Sequence, residues 1–400
     1  MTFYWNKPMS LPRLRIKKRD QQRLRDGHLW VYSNEVDTQV TPLKAISGHL
    51  VDLEDYRGQF IATASFNAQA LICARIVSTT PIDKLDQAFF TQKIQAALAI
   101  REQLFTQPYY RLVFGEGDFL PGLVIDRFND ILVVQISTQA VENVKPELIA
   151  ALQTVFGQDI RILFKHDGKG RHMEQLPEYT EHVGGKFDHI DLDENGVQFQ
   201  VPVDGQKTGW FFDHRSGRQW LNECVTGKSV LDVFSYVGGW GIQAAKHDAA
   251  QVTCVDASQK AIDQVQYNAC LNQLSNVTAI CADAFDYLKT KTDEQFDVVV
   301  LDPPALIQKR RDFEQGRQAY FVLNEQALKR TKAGGIFISA SCSLHMTSDE
   351  LLKIVQQIAR RQQKQVQLIH QARPAADHPR LLSMPEADYL KCFMFKVTSI

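Results

Sequence analysis

The sequence predicts an α/β chain: a C-terminal doubly wound parallel sheet, preceded by a small β-rich unit and a central α+β unit. Three observations carry this. From about residue 187, short apolar runs at 229–233, 252–256, 277–281, 296–301 and 335–340 alternate with helical patterns at 239–247, 258–273 and 316–332. That is the rhythm of buried parallel strands joined by helical crossovers. Later runs near 366–370 and 389–397 are expected to pair antiparallel at the sheet edge. Upstream, three short alternating runs at 49–53, 60–64 and 71–76, punctuated by Gly48 and Gly58, read as strands. Between these regions, 85–105 has helical spacing. Two strand-like runs, 122–126 and 131–136, flank an Arg127-Phe128-Asn129-Asp130 turn, and a helix near 140–156 precedes a strand at 161–165. The Gly- and Pro-bearing stretch 167–185 reads as a linker. The expected boundaries are 1–78, 79–186 and 187–400.

Composition bounds the function. Apolar residues make up 44% of the 400 and charged residues 23%, values of a folded globular chain and not of a disordered one. A net charge of −1 excludes a uniformly basic nucleic-acid coat protein. No run approaches ~18 consecutive apolar residues, so no spanning helix and no membrane partner are expected. Met1 to Ser10 lacks the pattern of a secretory signal. The seven cysteines are scattered and include no C-x-x-C. This argues against a disulfide framework and against a Cys-rich metal site, so no metal is expected. A reducing, cytoplasmic compartment fits.

Charge is distributed unevenly. Residues 1–30 hold eight cations, Lys7, Arg13, Arg15, Lys17, Lys18, Arg19, Arg23 and Arg25, against Asp20 and Asp26. Such a cluster suits nucleic-acid phosphates, with Arg13, Lys17, Lys18 and Arg23 as candidate contacts; a solvated face is the plainer alternative. Lys309, Arg310 and Arg311 form a second cluster.

In doubly wound sheets, ligands bind at the carboxyl ends of the strands. The first expected strand, 229–233, carries Asp232 near its end and runs into Phe234-Ser235-Tyr236-Val237-Gly238-Gly239, where Gly238 and Gly239 let backbone approach a ligand. The G-x-G-x-x-G dinucleotide fingerprint is absent, and Gly227-Lys228-Ser229 precedes its strand and is no P-loop. The second strand ends at Asp256, placed to accept from ribose hydroxyls. The third is followed by Asp283-Ala284-Phe285, an acid for an adenine amino group beside an aromatic ring. The fourth is followed by Asp302-Pro303-Pro304. Glycine turn, ribose acid, adenine acid and D-P-P come in the order of an S-adenosylmethionine pocket. A helix cap is the alternative for each acid taken singly.

The runs Lys207-Thr208-Gly209-Trp210-Phe211-Phe212-Asp213-His214-Arg215-Ser216-Gly217-Arg218 and Phe234–Gly239, with Asp302-Pro303-Pro304, Ser341-Cys342-Ser343 and Asp377-His378-Pro379, resemble the class I rRNA large-subunit methyltransferase I family across essentially the whole chain. The resemblance implies a Rossmann-like methyltransferase domain, an N-terminal RNA-binding PUA-like β-barrel and an α+β domain between them. It implies methylation of C5 of a cytosine in 23S rRNA, either free or as a large-subunit precursor. It places Lys207, Thr208, Gly209 and Phe212 at the cofactor, and Asp213 and Arg215 near the pocket mouth. A homodimer stays open beside a monomer.

C5 of cytosine is too weak a nucleophile to attack a sulfonium methyl. Thiolate addition at C6 makes C5 enamine-like, and a base then removes the C5 proton so that the thiol leaves. Cys342 and Asp302, each just past its strand, are the candidates. Cys254, Cys270 and Cys392 read as core, and Cys281 as packing. Ala305 cannot stack on a base, which disfavours exocyclic-amine methylation. Phe313 and Tyr320 could stack on a flipped base or pack a helix face. Guanine-N7 methylation, a non-catalytic RNA-binding assembly factor and a small-molecule methyltransferase are the rival readings.

Overall fold

The computed structural model describes residues 11–41, 49–205, 208–290 and 292–399; Lys7 and Lys207 lie outside them. The chain groups into two units. One holds 1–187, 205–208 and 376–387; the other holds 188–204, 209–375 and 388–400.

The first unit contains two five-stranded sheets. The elements of the first are β1 (Arg13–Arg15), α1 (Gln21–Arg25), β2 (Trp30–Tyr32), β3 (His49–Glu54), β4 (Phe60–Phe66) and β5 (Ile72–Ser78), with strand order β1-β3-β4-β5-β2. Alternation puts Leu14, Val51, Leu53, Ala62, Ala64 and Ile76 into its core. The second follows as α2 (Gln87–Leu104), β6 (Tyr109–Phe114), β7 (Leu123–Phe128), β8 (Ile131–Ile136), α3 (Gln139–Glu142), α4 (Lys145–Phe156), β9 (Arg161–His166), α5 (Lys169–Met173) and β10 (Tyr179–Val183), with order β10-β9-β8-β7-β6. Phe90 and Ile94 of α2 and Leu148 and Leu152 of α4 share its core.

The expected linker at 167–185 is a correction. It contains α5, and β10 pairs antiparallel with β9, Tyr179 opposite His166. Tyr179 also stacks edge-on against His166, with ring centroids 4.6 Å apart, so the segment is anchored despite its glycines. Residues 376–387 return to this unit. Asp377 is fully buried; its carboxylate accepts the Arg111 N–H at 2.9 Å, and its carbonyl accepts from Arg101 at 2.8 Å. Arg101 in turn grips Asp118 through two hydrogen bonds of 2.5 and 2.8 Å.

The second unit opens with a hairpin, β11 (His189–Glu194) and β12 (Val197–Pro202). Its two-residue turn is Asn195-Gly196, with φ of 56° and 77°, the left-handed pair that a tight hairpin turn requires. Then come α6 (Arg215–Asn222), β13 (Ser229–Val233), α7 (Gly241–Lys246), β14 (Gln251–Asp256), α8 (Gln259–Leu271), β15 (Val277–Cys281), α9 (Ala284–Lys289), β16 (Phe296–Leu301), α10 (Phe313–Lys329), β17 (Thr331–Ser341), α11 (Ser348–Arg361), β18 (Lys364–Ala372) and β19 (Lys391–Ser399). The seven-stranded sheet has order β15-β14-β13-β16-β17-β19-β18. Strands β13 to β17 are parallel, and β19 runs antiparallel between β17 and β18. Strand order reverses between β13 and β16, the switch point where such sheets open a crevice for ligands.

Two cysteines depart from the core expectation. Cys270 and Cys281 are exposed. Helix α8 buries Ala261, Ile262, Val265, Asn268 and Ala269, and Cys270 falls on its other face. Cys281 ends β15, the sheet's edge strand. Cys254 and Cys392 are buried as expected. Among the described residues no helix is long and apolar enough to cross a membrane.

Candidate active site

The carboxyl ends of β13, β14, β16 and β17 bring together most of the singled-out residues. Asp232, next to last in β13, is fully buried. One of its oxygens accepts the Gly241 N–H at 2.8 Å, which closes the turn from Phe234 to Trp240 onto α7. Gly241 cannot be anything larger, because a Cβ there would lie 2.4 Å from the Cys254 sulfur. Burial raises the Asp232 carboxyl to about 7 against the pull of the Gly241 hydrogen bond, and Asp302 and Asp256 add to the rise. Phe234 and Tyr236 adopt φ of 65° and 49°, left-handed values that bulky residues avoid, so this turn is strained. Gly238 is also left-handed, and Gly239 neighbours Trp210 and Arg218.

Asp256 accepts the Tyr236 N–H and the Ser258 N–H through separate oxygens, each at 2.9 Å. Asp283 is the N-cap of α9, accepting from Phe285 and Asp286, with Ala284 buried behind it. Asp283 therefore serves as a helix cap, as the plainer sequence reading had it, whereas α8 is capped by Ser258 and Asp256 ties the Tyr236 turn to the residue that starts α8; both acids keep lone pairs for a ligand. Gly209 has a φ of +98°. Phe212 is fully buried, with the Arg215 guanidinium 4.9 Å from its ring centre. Thr208 is buried and groups with the first unit.

Asp302 follows β16 directly. Its Oδ1 lies 3.2 Å from His214 Nε2, and its Oδ2 accepts the Trp240 indole N–H at 3.1 Å. Cys342 follows β17, with its sulfur 4.0 Å from the Pro303 carbonyl. The D-P-P turn and the Ser-Cys-Ser turn therefore touch. The Ser341 hydroxyl donates to the Tyr320 hydroxyl at 2.8 Å, which lies 2.9 Å from the Ser343 hydroxyl. Lys391 donates to the Ser343 carbonyl at 2.6 Å. This Lys391 was not singled out from sequence. Burial pulls its ammonium down to about 8, with Cys342 and Asp388 opposing, so a buried cation sits within Coulomb reach of the thiol. Tyr320 is a correction to the stacking alternative. It is fully buried, and burial pushes its hydroxyl up to about 12; it clasps the cysteine turn and its ring packs in the core. Phe313 is half-buried against the same core.

Arg215 is a further correction. Its alternative reading as a solvated surface charge fails, because it is 9% exposed, with its guanidinium 3.3 Å from Glu194. Glu194 is a hub that sequence reasoning missed. It also takes Arg218 at 2.6 Å, the Trp210 indole at 2.9 Å and the Gln243 amide at 2.9 Å. Asp213 accepts from the Tyr389 hydroxyl.

The cationic candidates divide. Arg23 grips both oxygens of Glu35 at 2.6 and 2.7 Å, and Arg13 lies 3.1 Å from Glu54, which Arg15 shares. Those charges are partly committed within the fold. Lys17, Lys18, Lys309 and Arg310 are exposed and form no ion pair among the described residues. Among the described residues no cluster could hold a metal.

Comparison with known proteins gives the class. A family model for a PUA-like domain matches residues 14–79, and one for an S-adenosylmethionine-dependent methyltransferase matches 110–374. A methyltransferase structure solved with SAH superposes with a TM-score of 0.83 over 96% of this chain and all of that one, at 22% identity. A second, from Streptococcus mutans, gives 0.82 with the same coverage and identity. This is a PUA-like domain joined to a Rossmann-like methyltransferase fold, and its cofactor is S-adenosylmethionine. The ribosomal RNA large subunit methyltransferase I of Cronobacter sakazakii is 35% identical over 96% of this chain and 99% of its own length. That of Escherichia coli K12 is 35% identical over 97% and 100%. The chain belongs to the ribosomal RNA large subunit methyltransferase I family.

Proposed function

We propose that the protein methylates C5 of a cytosine in 23S rRNA in the cytoplasm, through a covalent Cys342 adduct. The observation that carries this is the contact between the D-P-P and Ser-Cys-Ser turns, with Cys342 4.0 Å from the Pro303 carbonyl at the end of adjacent parallel strands. We read the chain as three modules, 1–78, 79–186 and 187–400. The residues of the last fit the cofactor: Asp232 Oδ1 and Ser235 Oγ are buried beside the strained turn with no hydrogen-bond partner among the described residues, an arrangement that is costly without a ligand. Asp256 and Asp283 would hold its ribose and adenine, and Phe234, Tyr236, Gly238 and Gly239 would line it, with Gly209 and Phe212. When bound, it supplies an electrophilic methyl group.

The chain's own residues do the rest. Cys342 adds to C6 as a thiolate, which loads electron density onto C5. After transfer, Asp302 takes the C5 proton, and the electron pair of that C–H bond re-forms the C5–C6 double bond as sulfur leaves. Lys391 favours the thiolate by charge, and Tyr320 fixes the turn that carries it. Mass mapping of large-subunit rRNA with and without the protein tests the target. A methyl found on a guanine N7 would replace this reading.

Two predictions arise here. Asp256→Asn should weaken S-adenosylmethionine binding by about 1–3 kcal/mol with little change in melting temperature; unchanged affinity by calorimetry would reduce Asp256 to a tie for the Tyr236 turn. Neutralising Lys17, Lys18, Lys309 and Arg310 together should lower the salt slope of RNA binding by about 3, at roughly 0.7–0.9 per phosphate contact. Cofactor affinity should be unaltered. A slope equal to the parent's would mark these cations as solvated only.

A further inference from the structure

The mechanism above leaves a buried histidine unused. His214, 5% exposed, stands at the end of the short turn before α6. Its Nε2 is 3.2 Å from Asp302 Oδ1, and the Trp240 indole donates to Oδ2. The Trp240 ring meets the imidazole edge-on at 5.4 Å. Each oxygen of Asp302 thus has its own donor, and the plane of the carboxylate is fixed. Around the imidazole stand Asp302, Cys392 of β19 and Asp213 of the same turn, with Asp232 and Arg218 beyond them. Burial alone would push the imidazole down. Asp302, with Asp213 and Cys392 assisting, lifts it well above its ordinary value, which favours the charged ring.

We propose that His214 is a positioning residue for Asp302: its ring and the Trp240 indole, one on each oxygen, hold the carboxylate in one orientation at the target base. This rests on the reading that Asp302 acts on the base. A carboxylate so oriented accepts from an exocyclic amino group and repels a carbonyl oxygen, so the pair favours cytosine over uracil. The sign with pH follows. A group raised in the folded protein is charged below its shifted value and loses its proton as pH rises through it, so turnover should fall on the alkaline side, where Lys391, held at about 8, loses its charge as well.

The test is multiple-turnover transfer of labelled methyl to large-subunit rRNA transcripts carrying cytosine or uracil at the target. It is run from neutral to alkaline pH for the parent, His214→Gln and His214→Ala. Hydrogen bonds to charged groups contribute roughly 1.5–3 kcal/mol, which is about tenfold to a hundredfold in rate. His214→Gln keeps a donor and should sit at the mild end of that range, and His214→Ala at the severe end. Both should lose His214's part of the alkaline fall and discriminate less against uracil. Cofactor affinity, measured by calorimetry, should match the parent's and reports folding. An alkaline fall identical to the parent's in His214→Gln, or two variants with the parent's rates, would overturn the proposal. Trapping with 5-fluorocytosine RNA reads the cysteine adduct separately. A parent that forms no adduct refutes the cysteine route, while the pH comparison still decides the role of His214.

Discussion

RNA with 5-fluorocytosine at the target position should leave the protein covalently attached to it, in a band that survives denaturing electrophoresis and requires S-adenosylmethionine. Fluorine cannot leave C5 as a proton does, so elimination of the thiol stalls after methyl transfer. Cys342→Ala should form no adduct and transfer no methyl to ordinary RNA, because without addition at C6 the C5 carbon remains a poor nucleophile. Asp302→Asn should still add and transfer but turn over slowly. The thiolate is the attacking form, so the rate should rise with pH before any alkaline fall. An adduct persisting in Cys342→Ala would move the nucleophile to another cysteine. Methylation without any adduct would favour guanine N7.

Glu194→Ala should destabilise the second unit by about 3–5 kcal/mol, the range for removing one partner of a buried ion pair. It strands Arg215 and Arg218, which are 9% and 3% exposed, together with the Trp210 and Gln243 donors. Burial alone would raise the Glu194 carboxyl, but Arg218 and Arg215 outweigh it and hold it below the usual range. A depressed carboxylate contributes stability that is fully present above its unfolded value, roughly 4.3. That stability is lost as pH falls through its folded value. Denaturant unfolding of parent and Glu194→Gln across acidic pH checks this: the gap between them should close on acidification. A Glu194→Ala variant as stable as the parent would mean that water satisfies the stranded donors.

The parallel strands were legible because each is a short, mostly apolar run, with β13 and β16 buried on both faces and β15 half-exposed at the edge. The expected 229–233, 277–281 and 296–301 coincide with β13, β15 and β16. The β11–β12 hairpin was missed although its signal is local. Ile190, Leu192, Val197, Phe199 and Val201 alternate around Asn195-Gly196, and all five are buried. The stretch 167–185 misled because glycine content reports backbone freedom, whereas β10 is held by pairing to β9. At the site, Asp302 and Cys342 were readable because a polar residue just past an apolar strand stands out. Glu194, His214 and Lys391 were not, since their meaning comes from partners far along the chain. Glu194 and Arg218 look like ordinary surface charges until the fold stacks them, and Lys391 lies next to Ser343 only because β19 inserts beside β17. The cation cluster of residues 1–30 was legible as charge, but not as charge already paired: Glu35, Glu54 and Asp55 take four of its arginines.

The excursion of residues 376–387 into the first unit bears on how this chain could be dissected or recombined. A gene cut after residue 187 would yield two fragments, neither of them whole. The N-terminal fragment would lack Asp377, leaving the Arg111 N–H and one Arg101 donor without their acceptors. The C-terminal one would carry an orphaned loop between β18 and β19. Ribosomal synthesis meets the same constraint. The first unit cannot finish packing until nearly the whole methyltransferase sheet has emerged, which raises its contact order and delays its completion. Exchange of the N-terminal module between relatives would therefore have to carry a second, distant segment with it, so the two units are expected to be inherited together.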